Sequence, residues 1–107
     1  MANRKLVRAD MPSGLHNVWD AYVQFLAAAG PHREALTTVR AFQQLSGTWG
    51  QMIGVAANRQ TVPPLANLKT CVSRIVQGLG SLDGRLQSAL REPLATLTAA
   101  IEEAGGD

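Results

Sequence analysis

Large aliphatic residues recur at steps of three and four positions through the second half of the chain. This spacing places them along one side of an α-helix, and a repeat of this kind is typical of helices that pack against other helices. After Leu86 the phase slips, as it does at a stutter in a heptad pattern. We call these eleven residues the C-terminal seam: Leu65, Leu68, Val72, Ile75, Leu79, Leu82, Leu86, Leu90, Leu94, Leu97 and Ile101.

Helix-breaking residues interrupt the C-terminal seam. Three glycines within residues 78–84 each cost a helix about 1 kcal/mol relative to alanine, and Pro93 removes a backbone hydrogen bond. The sequence therefore predicts a helix over about 64–77, a turn, and a final helix to about residue 104 that is bent or broken near Pro93. The alternative is one long C-terminal helix that pairs with a copy of itself.

The first half of the chain contains an aromatic stripe with the same helical spacing. This stripe predicts a helix that begins near Leu15 and ends at the Gly30-Pro31 pair, because proline cannot continue a helix. Aromatic side chains bury the most area, so we expect this helix to anchor the core. We expect its rings, Trp19, Tyr22 and Phe25, to pack against Phe42, Trp49 and the C-terminal seam.

Two further helices are predicted between the aromatic helix and the C-terminal seam. The first begins at Pro31, a residue that a first helical turn tolerates well, and ends at Ser46-Gly47. The second begins where Thr48 and Gln51 can form a capping box, in which each side chain satisfies a free backbone N–H. This helix is followed by the polar stretch 58–62 and by Pro63-Pro64, which prevents it from continuing.

Length and composition predict a single all-α domain. The chain has 107 residues, of which 46% are apolar and 17% charged, and we find no internal repeat or linker in it. We predict a compact bundle of four to five short helices that oligomerises through its C-terminal helices, and the alternative is a compact monomer in which the first three helices cover the whole C-terminal seam. Residues 1–12 show no apolar periodicity, so we predict a flexible N-terminal segment there and a single helical domain over 13–107.

Charge, cysteine content and hydropathy exclude several classes of protein. The net charge of +2 is small for a nucleic-acid-binding protein, and no apolar run approaches the length of a membrane span. We expect no secretory signal peptide, because no continuous apolar run follows the basic N-terminus. The lone Cys71 cannot form a disulfide within the chain. We expect a cytoplasmic protein, or a virion-associated one if a phage encodes it.

The candidate chemical groups do not form an active site. His16 and Asp20 share a helical face, but a zinc site needs at least three ligands, so we predict no metal and no cofactor. Cys71 adjoins the apolar Val72, which indicates a buried hydrophobe and not a nucleophile. Glu102 and Glu103 are adjacent and point in different directions. The glycine-rich segment 78–84 follows a helix and lacks the residues of a phosphate-binding loop. We predict that the protein is not an enzyme.

The favoured functional hypothesis is an assembly or adaptor protein that acts through protein–protein contacts. The C-terminal seam offers more apolar surface than three N-terminal helices can readily cover, and exposed apolar patches usually mark interfaces. We expect the partner to be a second copy of the chain or a larger assembly, as in small structural or accessory proteins of bacteria and phages. The predicted interface residues are Leu79, Leu82, Leu86, Leu90 and Leu97.

The alternative hypothesis is a nucleic-acid-binding accessory protein. Its basis is the N-terminal basic cluster, together with two arginines that are seven positions apart and would share one helical face. The candidate contacts to phosphate are Arg4, Lys5, Arg8, Arg33 and Arg40.

Overall fold

The computed structural model describes residues 6–58 and 64–105. In these two ranges the chain forms four long α-helices, one short α-helix and three single 3-10 turns, and no strand occurs. No helix among them is long and apolar enough to cross a membrane. The protein is an all-α bundle, as the sequence predicts. The helices are α1 His16–Ala29, α2 Arg33–Leu36, α3 Arg40–Asn58, α4 Leu65–Leu79 and α5 Gly84–Glu103.

The local sequence sets several of the helix ends. Helix α1 ends at Ala29, directly before the Gly30-Pro31 pair that predicted its end. Helix α5 starts after Asp83, whose carboxylate accepts a hydrogen bond of 2.9 Å from the backbone N–H of Arg85. This cap satisfies one of the free donors of the first turn and fixes the point where the last helix begins.

Helix α3 is continuous where the sequence predicted a break. It runs through Ser46-Gly47, and Thr48 lies in its interior, so both the break and the capping box are wrong. The physical reason lies in the apolar residues on either side of the pair. Leu45, Trp49 and Met52 continue one helical face and are all buried, so their burial outweighs the cost of the glycine.

Helix α5 continues through Pro93 in the same way. It extends unbroken from Gly84 to Glu103. Leu90, Leu94 and Leu97 lie on both sides of the proline and are all buried, so tertiary packing holds the helix together although one backbone hydrogen bond is missing. Of the two predicted outcomes at Pro93, a bend or a break, the structure rules out the break.

The four long helices form a closed ring. Helix α1 packs against α5, α5 against α4, and α4 against α3. Aromatic side chains close the ring between α1 and α3. The ring of Tyr22 stacks on Trp49 with centroids 3.9 Å apart, and Phe25 meets Phe42 edge-on at 6.1 Å. Tyr22, Phe25 and Trp49 are buried as predicted, whereas Trp19 and Phe42 are only half-buried.

The chain contains two helical hairpins with matching burial patterns. The first is α1–α3 and the second is α4–α5, and each hairpin packs its first helix against the second helix of the other. Seven buried positions of the first hairpin recur 50 positions later, although the residues themselves mostly differ. These positions are Leu15, Val18, Ala21, Tyr22, Phe25, Ala29 and Leu36, and then Leu65, Leu68, Cys71, Val72, Ile75, Leu79 and Leu86. The two halves of the chain therefore share a burial pattern at these seven positions, without a repeat in the sequence.

The N-terminal segment is part of the domain from at least Leu6 onward. Met11 is only 3% exposed and belongs to the core, and Leu6 packs against it. The guanidinium of Arg8 pairs with the carboxylate of Asp20 at 2.8 Å. Met11 therefore belongs to the core although it precedes residue 13, where the helical domain was predicted to begin. Arg4 and Lys5, which belong to the same segment, lie outside the described residues.

Candidate interaction surfaces

The leucines predicted as an interface lie in the interior of the bundle. Leu79, Leu86, Leu90 and Leu97 are each at most 4% exposed, and Leu82 is half-buried against the same core. The facing helices α1 and α3 cover the C-terminal seam within one chain. The prediction therefore placed the interface on side chains that the fold itself already covers.

The polar groups considered as chemical candidates are engaged in contacts within the chain. His16 Nε2 lies 3.1 Å from the carbonyl oxygen of Met11, and Asp20 accepts two hydrogen bonds from Arg8. The hydrogen bonds from Arg8 lower the pKa of the Asp20 carboxyl. Among the described residues, no three potential metal ligands come together.

The thiol of Cys71 is buried between two helices. Its Sγ donates a hydrogen bond of 3.2 Å to the carbonyl oxygen of Ala41, which joins α4 to the first turn of α3. Burial raises the pKa of this thiol, so the reactive thiolate form is disfavoured. The side chain acts as a small packing group that also holds two helices together.

A mostly apolar groove of about 660 Å³ lies between α4 and α5 on the outer side of the bundle. Its α4 side includes Val76, a large apolar side chain that is 49% exposed. The buried Leu79 and Leu94 contribute to the floor. We call this feature the α4–α5 groove. Its lining residues are Ser73, Val76, Gln77, Leu79, Gly80, Gln87, Arg91, Leu94, Ala95, Thr98, Ala99 and Glu102.

Charges of opposite sign lie near the two ends of the α4–α5 groove. Arg91 is exposed toward one end, and among the described residues it takes part in no ion pair. Glu102 is exposed toward the other end, where Lys69 contacts one of its carboxylate oxygens at 3.0 Å. On the side of α5 that lines the groove, the small side chains of Ala95, Thr98 and Ala99 lie between them, beside the buried Leu94. Arg91 and the Glu102 carboxylate oxygen that Lys69 does not contact therefore give the groove opposite charges near its two ends, and a second, antiparallel copy would pair them.

A second groove of about 410 Å³ lies between the start of α3 and the C-terminal half of α4. It brings the exposed side chains of Arg40 and Arg74 to one concave surface. Thr38, Gln44 and Ser81 also line it, and among the described residues no acidic one does. We call it the arginine groove.

The predicted nucleic-acid contacts do not form one surface. Arg33 and Arg40 lie on different elements, because the chain turns at residues 37–39 between α2 and α3, so the shared helical face is wrong. Arg8 is paired with Asp20 near the N-terminus. Arg74, which was not among the predicted contacts, is 34 positions from Arg40 and lines the same groove only because of the fold. No local motif signals such a pair.

Comparison with protein-family models, with curated proteins and with solved structures finds no match for this chain.

Proposed function

We propose that this protein is a non-enzymatic helical assembly protein that acts through protein–protein contacts. We propose further that its partner is a second copy of the same chain, bound at the α4–α5 groove. The observation that carries the proposal is the self-complementary charge pattern of that groove, with Arg91 toward one end and Glu102 toward the other. A surface that matches its own reverse is what a twofold symmetric dimer requires.

The proposed dimer pairs two α5 helices in antiparallel orientation. Arg91 and Glu102 are eleven positions apart, which corresponds to about 16 Å along a helix. In this arrangement Arg91 lies opposite Glu102 of the partner subunit, and the twofold axis repeats the ion pair. The midpoint falls among Ala95, Thr98 and Ala99, whose small side chains allow two helices to approach closely.

Apolar exposure supports the same surface. Val76 is 49% exposed on the rim of the groove, and burying such a side chain is favourable by about 1–2 kcal/mol. In the proposed dimer Val76 is covered by the second copy. This interface replaces the one predicted from the leucines of the C-terminal seam, since it uses the outer side of the same two helices.

We also propose that the protein functions in a reducing compartment, the cytoplasm, or within a virion if a phage encodes it. The support is the lone cysteine, which is buried as a thiol in the core. A small structural or accessory component of a bacterium or phage fits this profile.

The test is a charge swap read out by mass in solution. Sedimentation equilibrium across the micromolar range should show the wild type passing from monomer to dimer. Arg91→Glu and Glu102→Arg should each weaken the dimer about tenfold or more, because each places like charges opposite one another. A mixture of these two variants should dimerise again, since both ion pairs re-form between unlike copies.

The matched control is Arg85→Glu, which makes the same change at an exposed α5 position outside the groove and should leave the mass unchanged. Circular dichroism should show equal helix content in all variants. A wild type that stays monomeric throughout the concentration range contradicts the proposal. So does a dimer that both single charge reversals leave intact.

A further inference from the structure

The arginine groove is held in shape by two contacts between the start of α3 and α4. At one end, the thiol of Cys71 donates to the carbonyl oxygen of Ala41. At the other end, Val39 packs against Gly78 so closely that a Cβ on the glycine would lie 2.8 Å from Val39 Cγ1. Arg40 lies in the chain between Val39 and Ala41.

The second arginine lies between the same two contacts on the facing helix. Cys71, Arg74 and Gly78 follow the spacing of three and four that defines one helical face. Each arginine is therefore flanked by a point where the two helices are fixed to each other. The backbone positions that bear the two arginines are therefore fixed relative to each other by the fold.

The charge of the arginine groove is not compensated within the described part of the chain. The ion pairs there involve Arg8 and Lys69, and neither Arg40 nor Arg74 takes part in one. Two like charges in one groove repel each other, and no acidic side chain of residues 6–58 or 64–105 lines it. An anion that contacts both guanidinium groups would relieve this repulsion.

The available hydrogen-bond donors narrow the class of anion. The hydroxyls of Thr38 and Ser81 already donate to the carbonyl oxygens of Ala35 and Gly78, at 2.9 and 3.0 Å. The remaining side-chain donors of the groove are therefore the two guanidinium groups and the amide of Gln44. This set of donors is rich in positive charge and offers several N–H groups to one acceptor, which suits a doubly charged oxyanion with several oxygens.

We propose that the arginine groove binds a phosphate group, either free phosphate or the terminal phosphate of a small molecule. Arg40 and Arg74 bind its oxygens from two sides, and Gln44 donates a further hydrogen bond. The positive end of the α3 dipole, which begins at Arg40, adds to the same potential. This site is separate from the α4–α5 groove, and it does not depend on self-association.

The experiment is a titration of the full chain with inorganic phosphate at low ionic strength, followed by backbone amide NMR shifts. Saturable shifts are expected at residues 38–44 and around Arg74. Arg40→Gln and Arg74→Gln should each weaken binding about tenfold, because each removes one charge-assisted contact. Arg33→Gln and Arg85→Gln change exposed arginines outside the groove and should bind phosphate like the wild type.

A second set of ligands distinguishes the source of the phosphate group. If a phosphate group is recognised, adenosine monophosphate should bind at the same residues, whereas adenosine should not. Equal melting temperatures of the variants in phosphate-free buffer show that the arginine substitutions leave the fold intact. The proposal is overturned by shifts that do not saturate, or by variants that bind as well as the wild type. Arginine-dependent binding of duplex DNA that phosphate cannot displace also overturns it.

Discussion

Glycines within the helices of this bundle have opposite roles at different positions. At Gly50, on the exposed side of α3, an added Cβ would meet no atom within 4 Å, so the residue only weakens the helix. At Gly78 the added Cβ would lie 2.8 Å from Val39 Cγ1. Valine is branched at Cβ and has little rotamer freedom, so it cannot easily move aside. Glycine at this position allows α4 to approach the start of α3.

Substituting alanine at these two positions should therefore change stability in opposite directions. Gly50→Ala should raise the free energy of unfolding by about 0.5–1 kcal/mol, the usual gain in helix propensity. Gly78→Ala should lower it by about 1–2 kcal/mol, because overpacking costs more than propensity returns. Urea unfolding of the two variants against the wild type measures both changes. Equal stabilisation by both would show that Val39 can relax.

Tyr22 makes the pH dependence of stability predictable at the alkaline end. It is the only tyrosine, and burial raises the pKa of its hydroxyl to about 12, against an ordinary value of 10.0. Between these values the unfolded chain has lost the phenol proton while the folded chain retains it. The stability associated with this group is thus fully present below pH 10 and falls as the pH rises toward 12.

The expected loss from the Tyr22 hydroxyl is on the order of 2 kcal/mol across that range. Absorbance at the tyrosinate band should show one transition near pH 12 in the folded chain and near pH 10 in urea. Tyr22→Phe keeps the ring that stacks on Trp49 and should remove this part of the pH dependence. A folded-state transition near pH 10 would show that the hydroxyl reaches solvent.

At the scale of the helices, helix-breaking residues predicted a helix end correctly only where no buried apolar face continues past them. Gly30-Pro31 ends α1 because the chain leaves the core there. Ser46-Gly47 and Pro93 carry similar signals, yet α3 and α5 continue through them. In both helices the apolar spacing resumes in phase beyond the breaker, and packing against a neighbouring helix stabilises the helical backbone. Whether a helix continues through such a residue depends on tertiary packing, so a local sequence pattern could not predict it.

Pro93 should therefore be an unfavourable residue that the fold tolerates. Proline is about 3 kcal/mol less favourable than alanine inside a helix, and part of that difference is offset by contacts of the half-buried ring. Pro93→Ala should raise the free energy of unfolding by about 1–3 kcal/mol and increase the melting temperature by several degrees. Glu92→Ala, at the exposed neighbouring position, should change it by less than 0.5 kcal/mol. A lower melting temperature for Pro93→Ala would mean that the ring is needed for packing.

At the scale of the molecule, the sequence predicted which residues are apolar but not what covers them. The spacing of the C-terminal seam correctly predicts helices. Leu90 and Leu97 belong to this seam, and for that reason they were predicted to lie in an interface. Their burial depends on how α1 and α3 pack across the bundle, which a helical period does not encode. For the same reason, the sequence did not predict that Arg40 and Arg74 line one groove. Each lies in a helix whose local sequence shows no motif. The spacing of residues within one helix does not predict which side chains of different helices come together.

The contacts between the two hairpins predict that neither hairpin folds alone. Helix α1 packs on α5 and α3 packs on α4, so the two hairpins bury apolar side chains against each other. The fully buried Val18 and Phe25 on one side, and Ile75 and Leu97 on the other, would be exposed in separate halves. Exposing several such side chains costs about 1.5–3 kcal/mol each, which is comparable to the whole stability of a small domain.

Chains 1–62 and 63–107, prepared separately, should therefore each show little helical circular dichroism. When they are mixed at equal concentration, the helix signal should return, because all contacts between the hairpins can re-form without the peptide bond between them. The midpoint of this reconstitution should depend on protein concentration, as association requires. The control is a mixture in which chain 63–107 carries Leu97→Ala, which should need a higher concentration to regain helix. A chain 63–107 that is fully helical and monomeric alone would show that α4 and α5 form a stable unit without the first hairpin.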